Sequence, residues 1–393
     1  MITGLVLTGG GARAAYQAGA LRAIARITRA ARIPFQVLAG SSAGAINTVA
    51  LATGADDFQG ATARLWHTWG GIAPERVYRT DPRRLLGIGA RWLRDLTSGG
   101  VLGDRTINYL LDTAPLRELL AANLEPGRLP AQYRAGLLRG VAVSATSYSS
   151  ANGITFFDGD PGIAPWVRSV RVGVRDPITL DHVMASTAIP IFFPPVRLGQ
   201  MFFGDGCIRM LAPVSPAVHL GAERILAIGV RHRPSAEETI DELRPDAHPA
   251  PLSQILGTLL SSLFLDSIEA DGERLERINR TLQLIPPHRR SSQALRIIPL
   301  LVLRPSRDLG ELAEGAQLRL PGMLQYLLRG IGARNQAGRD LLSYLAFERV
   351  YVRRLLRLGY RDTLARRDEL EAFLAGEPPA ADREPAPLET ARG

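Results

Sequence analysis

The chain opens with short apolar runs that alternate with stretches of helical periodicity. Residues 5–8 form an apolar run followed by three glycines, and residues 35–39 form a second run that also ends in glycine. Short apolar runs bounded by glycine predict buried strands. Residues 14–30 carry small and apolar side chains at three- and four-residue spacing, which predicts a helix, and residues 43–53 are predicted to form a second one. This strand–helix–strand–helix order is typical of an α/β fold with a parallel sheet.

The same patterns divide the rest of the chain into parts. Residues 1–230 contain most of the apolar strands, and within them residues 55–135 break the rhythm with helical stretches and loops, which indicates a helical insertion. Residues 231–251 are rich in Pro, His and charge and are predicted to be a linker or surface loop. Residues 252–375 are predicted to be a mainly helical C-terminal region packed on the first domain. The proline-rich tail, residues 376–393, is predicted to be disordered.

Within these parts the patterns predict several further elements. The predicted strands are 140–146, 154–157, 200–203, 224–230 and 297–303, and the predicted helices are 179–186, 214–220, one or more near 252–281, 321–331 and 338–358.

The charge of the chain comes from an unusual composition. The formal net charge is +9, and all 47 basic residues are arginines because the sequence contains no lysine. An anionic partner such as a membrane surface or a nucleic acid is one interpretation. A compositional bias toward Ala, Arg, Gly and Pro is the other, and it is favoured because the arginines are spread along the chain. Aromatic residues do not interleave with them as in single-strand binders, so we expect no nucleic-acid partner.

The cysteine content and the apolar runs bear on the cellular location. Cys207 is the only cysteine, so no intramolecular disulfide can form, which fits a reducing compartment. The N-terminus has no charged segment followed by a long apolar one, and we expect no signal peptide. No apolar run approaches the roughly 18 residues of a spanning helix. These observations predict a cytoplasmic protein, with peripheral contact to the inner face of the membrane as a further hypothesis.

The predicted C-terminal helix carries arginines at every fourth position. Arg349, Arg353 and Arg357 share one face, and an apolar stripe that includes Leu341 and Leu345 follows the same predicted helix. A helix that lies on anionic lipid is one interpretation of this pattern. A solvated face above a buried stripe is the other, and it is the favoured one.

The first chemical motif is Gly40-Ser41-Ser42-Ala43-Gly44, which lies between a predicted strand and a predicted helix. A serine on such a sharp turn exposes its hydroxyl near the amide groups of the helix N-terminus, which favour developing negative charge. The flanking glycines, Gly40 and Gly44, are needed because side chains there would clash with the neighbouring backbone. We therefore predict that Ser42 is a nucleophile. An ordinary glycine-rich strand–helix turn is the less favoured alternative.

The second motif is Gly9-Gly10-Gly11-Ala12-Arg13, at the end of the first predicted strand. A dinucleotide-binding fingerprint requires glycine where residue 14 is alanine, and a P-loop requires a lysine that the chain lacks. The amides of Gly10 and Gly11, in a loop fixed by Arg13, suit an oxyanion hole. A helix N-terminus that merely tolerates glycine is the remaining alternative.

A serine nucleophile also requires a general base. None of the six histidines lies in a small-residue turn after an apolar strand; they are His67, His182, His219, His232, His248 and His288. Asp205 follows an apolar run and precedes Gly206, a position that would direct its carboxylate across the end of the sheet. A serine–aspartate pair needs no histidine, although it requires a buried site in which the weak base contacts the hydroxyl directly. A turn-capping aspartate is the alternative for Asp-Gly.

These motifs, in this order, resemble the patatin-like phospholipase family. The resemblance covers residues 4–230 and rests on the two glycine motifs, on Ala185-Ser186-Thr187-Ala188-Ile189-Pro190 with Phe193-Pro194-Pro195-Val196, and on Gly204-Asp205-Gly206. It implies a three-layer α/β/α fold with a mainly parallel central sheet, to which this chain adds the helical insertion and the helical C-terminal extension. The family usually has a second glycine at the position of Cys207.

The resemblance also implies a function. Ser42 is then the nucleophile, Asp205 the base, and residues 9–13 the oxyanion hole of a serine acyl hydrolase that releases fatty acids from lipid esters, of phospholipase A or lysophospholipase type. No metal and no cofactor is expected, and the partner is a lipid ester substrate, a phospholipid or lysophospholipid. The alternative is a catalytically silent lipid-binding or scaffold protein on the same fold.

Overall fold

A mixed sheet forms the centre of the fold. The computed structural model describes residues 1–79, 87, 97, 109–233, 267–290, 295–314 and 343–377, and within them the sheet has ten strands. In chain order the strands are β1 (Thr3–Leu7), β2 (Val37–Ser41), β3 (Gly140–Ser147), β4 (Gly153–Gly159), β5 (Trp166–Arg168), β6 (Arg171–Arg175), β7 (Val196–Leu198), β8 (Met201–Gly204), β9 (Arg224–Ile228) and β10 (Leu300–Leu303).

The strand order brings three chain segments to one edge of the sheet. Five adjacent strands, in the order β10-β9-β1-β2-β3, are parallel, and β4 and β8 both pair antiparallel with β3. Leu7 is the register partner of Gly40, so the chain leaves β1 and β2 at the same edge. Thr146 near the end of β3 is the partner of Gly204 at the end of β8, which brings the chain after β8 to that edge as well.

Helices cover both faces of this sheet. Their bounds are α1 (Ala15–Thr28), α2 (Ala43–Thr53), α3 (Phe58–Gly70), α4 (Ala114–Asn123), α5 (Leu129–Arg134), α6 (Leu180–Ser186), α7 (Ser215–His219), α8 (Ser267–Gln283), α9 (Pro287–Arg290), α10 (Glu311–Glu314), α11 (Arg349–Ala365) and α12 (Arg367–Ala375). Leu5 and Leu38 face the core beneath α1, α2, α3 and α11, whereas Val6 and Val37 face the core beneath α7 and α8. The predicted three-layer α/β/α fold with a mainly parallel sheet is confirmed.

Helices α1 and α11 cross at two glycines. A Cβ at Gly19 of α1 would overlap the carbonyl of Leu356, and a Cβ at Gly359 of α11 would overlap the carbonyl of Tyr16. Glycine therefore lets the two backbones touch, and α11 buries its apolar stripe against the layer that α1 and α3 form. The C-terminal part of the chain is thus packed directly on the first helix.

The predicted C-terminal helix is interrupted. Residues 338–342 lie outside the described residues, residues 343–345 are helical, residues 346–348 are not, and α11 begins at Arg349. The reason is that the carbonyl of Leu345 accepts hydrogen bonds from the Tyr78 hydroxyl and from the amide of Phe347, which takes the chain out of helical geometry. The prediction of one continuous helix over 338–358 is therefore wrong.

The arginine face of α11 is exposed. Arg349, Arg353 and Arg357 are exposed, whereas Val352 and Leu356 of the same helix are buried. A helix face in water and a helix face on anionic lipid would both expose these arginines, so the geometry is compatible with both interpretations.

Several sequence predictions fall outside the described residues. They include most of the predicted loop 231–251 and of the tail 376–393, the predicted helix 321–331, and residues 252–266 of the helical region. The domain boundaries proposed from the sequence stay predictions. None of the helices in the described ranges is long and apolar enough to cross a membrane.

Candidate active site

Ser42 lies on a strained turn between β2 and α2. Its backbone has φ 52° and ψ −133°, a conformation that costs a residue with a side chain about 1–3 kcal/mol. The turn is fixed because the Ser42 amide donates a hydrogen bond of 2.8 Å to the Ser186 hydroxyl. Although Ser42 occupies the N-cap position of α2, its hydroxyl makes no capping bond to the helix. The hydroxyl is therefore directed away from the backbone of its own helix.

The glycines on either side of Ser42 lie against backbone. A Cβ at Gly44 would overlap the carbonyl of Leu7, and a Cβ at Gly40 would lie 2.7 Å from the carbonyl oxygen of Gly44. Both positions are thus closed to a side chain, for the reason that the sequence motif suggested.

Asp205 meets Ser42 across the end of the sheet. The Ser42 Oγ donates a hydrogen bond of 2.6 Å to Asp205 Oδ2, although 163 positions separate the two residues in the chain. The second carboxylate oxygen, Oδ1, accepts a 2.9 Å hydrogen bond from the Cys207 amide. The Asp205 carbonyl accepts a 2.8 Å bond from the Thr146 hydroxyl, so its backbone is held to β3. Each carboxylate oxygen therefore has a fixed partner.

The environment of Asp205 shifts its proton affinity. The residue is fully buried, and this burial raises the pKa of its carboxyl from the ordinary 3.8 to about 6, against the hydrogen bonds from Ser42 and Cys207 that lower it. A carboxylate with this pKa is still mostly ionised at pH 7, and it is a stronger base than an exposed aspartate.

Ser186 joins the nucleophile turn to β3, a role that sequence reasoning did not assign. Its hydroxyl accepts from the Ser42 amide and donates a 2.6 Å hydrogen bond to the Ser144 carbonyl. Ser186 lies in one of the segments that resemble the patatin-like family, so the sequence did mark this residue as part of a motif. The role itself depends on the pairing of distant elements, which no local pattern reveals.

The glycine segment 9–13 lies beside Ser42. A Cβ at Gly9 would overlap the Cys207 sulfur and would lie 2.6 Å from the Ser42 Cβ, so this position requires glycine. Gly10 precedes a short 3-10 helix, Gly11–Ala14, which leads into α1. Ala12 within that helix is fully buried. The segment thus combines close approach to Ser42 with the N-terminal end of a helix.

Arg13 is buried and held by residues from the C-terminal part of the chain. Its Nε donates a 2.7 Å hydrogen bond to the Ser343 hydroxyl, and its guanidinium carbon lies 4.8 Å from the centre of the Tyr344 ring. The Tyr344 carbonyl in turn lies where a Cβ of Gly11 would be. Residues more than 300 positions away therefore fix the shape of the glycine segment.

Cys207 fits the position where the family usually has a second glycine. Its φ is not positive, because the chain after Asp205 turns into a short 3-10 helix, Gly206–Arg209. The buried sulfur lies 3.7 Å from the Ser41 hydroxyl, and burial, followed by the charge of Asp205, raises the pKa of the thiol. Cys207 is therefore an uncharged side chain that packs into this position, and the turn that holds Asp205 is intact.

A largely apolar cavity opens at Ser42. Its volume is about 350 Å³, and it lies between the nucleophile turn, helices α2, α3 and α4, and the C-terminal segment. The apolar side chains that line it include Ile46, Leu65, Trp69, Leu116, Leu120, Ile189, Phe193 and Phe347. Polar side chains such as Arg64, Asn123 and Arg128 also line it. The predicted helical insertion thus supplies much of the cavity wall.

None of the five histidines in the described ranges contacts the Ser42 hydroxyl. His67 lines the same cavity from α3 but is exposed, and the hydrogen bond of the Ser42 hydroxyl goes to Asp205. His182 is buried in a capping box with Thr179 and lies 3.5 Å from Asp176. His219 stacks on the Trp166 ring with 4.4 Å between ring centres.

Comparison with solved structures found matches at low identity and low TM-score. VipD from Legionella pneumophila is 13% identical over 93% of this chain and 67% of its own, with a TM-score of 0.34. Human GIVD cytosolic phospholipase A2, in complex with methyl gamma-linolenyl fluorophosphonate, is 16% identical over 95% of this chain, with a TM-score of 0.37. ExoU, in its complex with SpcU from Pseudomonas aeruginosa, is 16% identical over 87% of this chain and 68% of its own, with a TM-score of 0.26. This chain spans only 59% of the length of the human protein.

Sequence comparison identifies the family. None of the curated protein sequences compared with this chain matches it. The family model "Patatin-like phospholipase" matches residues 5–218, which include Ser42, Asp205 and the glycine segment. Because this match covers more than half of the chain, the protein belongs to the patatin-like phospholipase family, a family of lipid-hydrolysing enzymes.

Proposed function

We propose that this protein is a serine acyl hydrolase that releases fatty acids from lipid esters through a Ser42–Asp205 dyad. The observation that carries the proposal is the 2.6 Å hydrogen bond between the Ser42 hydroxyl and the buried Asp205 carboxylate at the end of an apolar cavity. A nucleophile and a base in direct contact, on a rigid turn, form the minimal arrangement for acyl transfer.

The reaction proceeds in two halves. In the first, Asp205 accepts the proton of Ser42 as the serine oxygen attacks the ester carbonyl, and the amides of Gly10 and Gly11 stabilise the oxyanion. The alcohol part of the lipid leaves with a proton from Asp205, and the acyl group stays on Ser42 as an ester. In the second, Asp205 takes a proton from water, the hydroxide attacks the acyl-enzyme, and Ser42 regains its proton as the fatty acid leaves.

The cavity supports a substrate with a long acyl chain. Apolar side chains line most of its wall, and transfer of an acyl chain from water into such a cavity gains about 0.8 kcal/mol for each buried methylene. We assign the activity to the phospholipase A or lysophospholipase type, because Arg64 and Arg128 lie among the lining residues. They pair with Asp57 and Asp56 at 3.3 and 3.0 Å, and their remaining N–H donors suit the phosphate of a phospholipid.

Hydrolysis assays on single variants test the dyad. Purified full-length protein is incubated with phosphatidylcholine and with lysophosphatidylcholine, and released fatty acid is measured by mass spectrometry. Ser42→Ala and Asp205→Asn should each lower turnover at least about 1000-fold, because the nucleophile and base act as a unit. Ser41→Ala is the matched control, since the neighbouring hydroxyl makes only a weak contact with Cys207 and should leave turnover within about threefold.

Labelling with a fluorophosphonate separates the proposed enzyme from a silent lipid-binding protein. Such probes react with an activated serine, so the wild-type chain should be labelled and Ser42→Ala should not. Full hydrolysis by either dyad variant would refute the mechanism. Absence of both labelling and hydrolysis in the wild-type chain, with lipid binding retained, would assign the silent function instead.

A further inference from the structure

We propose that a second cavity, on the sheet face opposite α1 and α2, binds a phosphate-bearing anion. Its volume is about 590 Å³, and it lies between the β5–β6 hairpin, α7, α8 and the segment before β10. Four arginines line it: Arg168, Arg171, Arg274 and Arg296. Asp271 is the only carboxylate among the described lining residues. The described part of the wall therefore carries an excess of three positive charges.

Two of these arginines oppose each other in the sheet. Arg168 and Arg171 are register partners in the antiparallel β5–β6 pair. Like charges directly opposite each other on a sheet are destabilising. Neither guanidinium has a carboxylate within ion-pair distance among the described residues. Burial lowers the pKa of Arg171, the charge of Asp271 opposes this shift, and Arg274 and Arg168 add to it. The hairpin thus holds a repulsive pair that an anion in the cavity would neutralise.

The carboxylate in the wall is already engaged. Asp271 is buried, its Oδ2 accepts a 3.0 Å hydrogen bond from the Val214 amide, and its Oδ1 lies 3.8 Å from Arg274. It therefore offsets part of the charge of Arg274 and of Arg171, and one carboxylate cannot balance the four arginines of the described wall. His219 adds no charge at neutral pH, because burial and the two hairpin arginines lower its pKa to about 4.

The cavity is partly preorganised for an anion. The guanidinium of Arg296 is held by hydrogen bonds of 3.1 and 3.0 Å to the carbonyls of Val218 and Ala222. Arginine matches phosphate oxygens with paired N–H donors, so an anchored guanidinium loses little freedom on binding. A phosphate monoester or a diphosphate carries the negative charge that matches the excess in the wall. Such a group is found on soluble metabolites and on acidic lipids.

Calorimetric titration of the full-length protein with pyrophosphate tests the site. The wild-type chain should bind, and its affinity should fall as sodium chloride is raised. Arg168→Gln and Arg171→Gln should each weaken binding at least about tenfold, because each substitution removes one charged hydrogen-bond donor. Arg277→Gln is the matched control, because Arg277 is exposed on α8 outside the cavity, and it should bind within about twofold of the wild type.

Two further measurements identify the source of the phosphate and the repulsion in the hairpin. Flotation with phosphatidylcholine vesicles, with and without phosphatidic acid, distinguishes a lipid head group from a soluble ligand. Without ligand, Arg168→Gln should raise the melting temperature, since it removes the repulsive partner of Arg171. Equal affinity of the cavity variants and the control, or no wild-type binding to either pyrophosphate or phosphatidic acid, would overturn the proposal. Because the site is separate from Ser42, ester hydrolysis without added anion should be unchanged in all three variants.

Discussion

The raised pKa of Asp205 predicts that the proposed catalytic base destabilises the fold at neutral pH. A folded-state pKa of about 6, against 3.8 for the free side chain, means that the folded protein binds this proton more tightly than the unfolded chain does. The associated stability is fully present below pH 3.8 and is lost as the pH rises through about 6. Across that window the loss amounts to ~3 kcal/mol.

Asp205→Asn removes this penalty without removing the hydrogen bonds. The amide oxygen can accept from the Cys207 amide as Oδ1 does, and the NH₂ group can donate to the Ser42 hydroxyl. At pH 7.5 the variant should therefore unfold in urea with a free energy up to ~3 kcal/mol higher than the wild type. The difference should shrink below pH 6 and disappear near pH 4, where the wild-type carboxyl is protonated in both states.

Urea titrations at pH 7.5 and at pH 5 measure this difference. Asp368→Asn serves as a control, since Asp368 is exposed on α12 and should change stability by less than about 0.5 kcal/mol at either pH. If Asp205→Asn were equally destabilised at both pH values, the buried carboxylate would not be the cause, and the reasoning would be refuted.

Three further predictions concern the same site and the helix crossing. The rate constant kcat/KM for ester hydrolysis should fall about tenfold per pH unit below pH 6 and level off above it, because only ionised Asp205 accepts a proton; a profile flat down to pH 4 would contradict this. Gly9→Ala should abolish fluorophosphonate labelling, and adding Cys207→Gly should not restore it, because the new methyl group would still lie 2.6 Å from the Ser42 Cβ; recovery in the double variant would mean that the Cys207 sulfur is the only obstacle. Gly359→Ala should lower the free energy of unfolding by about 1–3 kcal/mol, because the new methyl group would overlap the Tyr16 carbonyl. Gly272→Ala is the control and should not lower the free energy of unfolding, since a Cβ at this helical glycine makes an ordinary 3.4 Å contact. Equal losses in the two variants would mean that the contact between α1 and α11 does not require glycine.

The sequence was sufficient for those parts of the fold that local patterns specify. The apolar runs and glycines at residues 5–11 and 35–44 predicted the first strands and the turns that follow them. Those turns lie at one edge because consecutive parallel strands end on the same side of a sheet. Asp205 required more than a pattern, since its approach to Ser42 depends on β8 pairing antiparallel with β3. The strand-end position of Asp205 suggested the pair, and the family resemblance supported it, but neither specified the strand pairing that brings the two side chains together.

Contacts between distant segments could not be predicted from the sequence, because no periodic pattern of residues indicates them. The hydrogen bond between the Ser42 amide and Ser186 is one example, and the interruption of the predicted C-terminal helix is another. In the second case the local sequence favours a helix, but the Leu345 carbonyl is taken by Tyr78 from a different part of the fold. Tertiary contacts of this kind override helix propensity, which contributes less than about 1 kcal/mol per residue.

The contacts of Arg13 extend the active-site structure beyond the part of the chain that the family model matches. That match ends at residue 218, yet the guanidinium of Arg13 is held by Ser343 and Tyr344, and Phe347 lines the cavity beside Ser42. A buried arginine is costly to leave without partners, so the glycine segment keeps this shape only while the C-terminal segment stays in place. The crossing of α11 with α1 holds that segment there, because it fixes the chain a few residues further on. The C-terminal region thus acts on the proposed oxyanion hole through packing, which explains why glycine is needed where its helix meets α1.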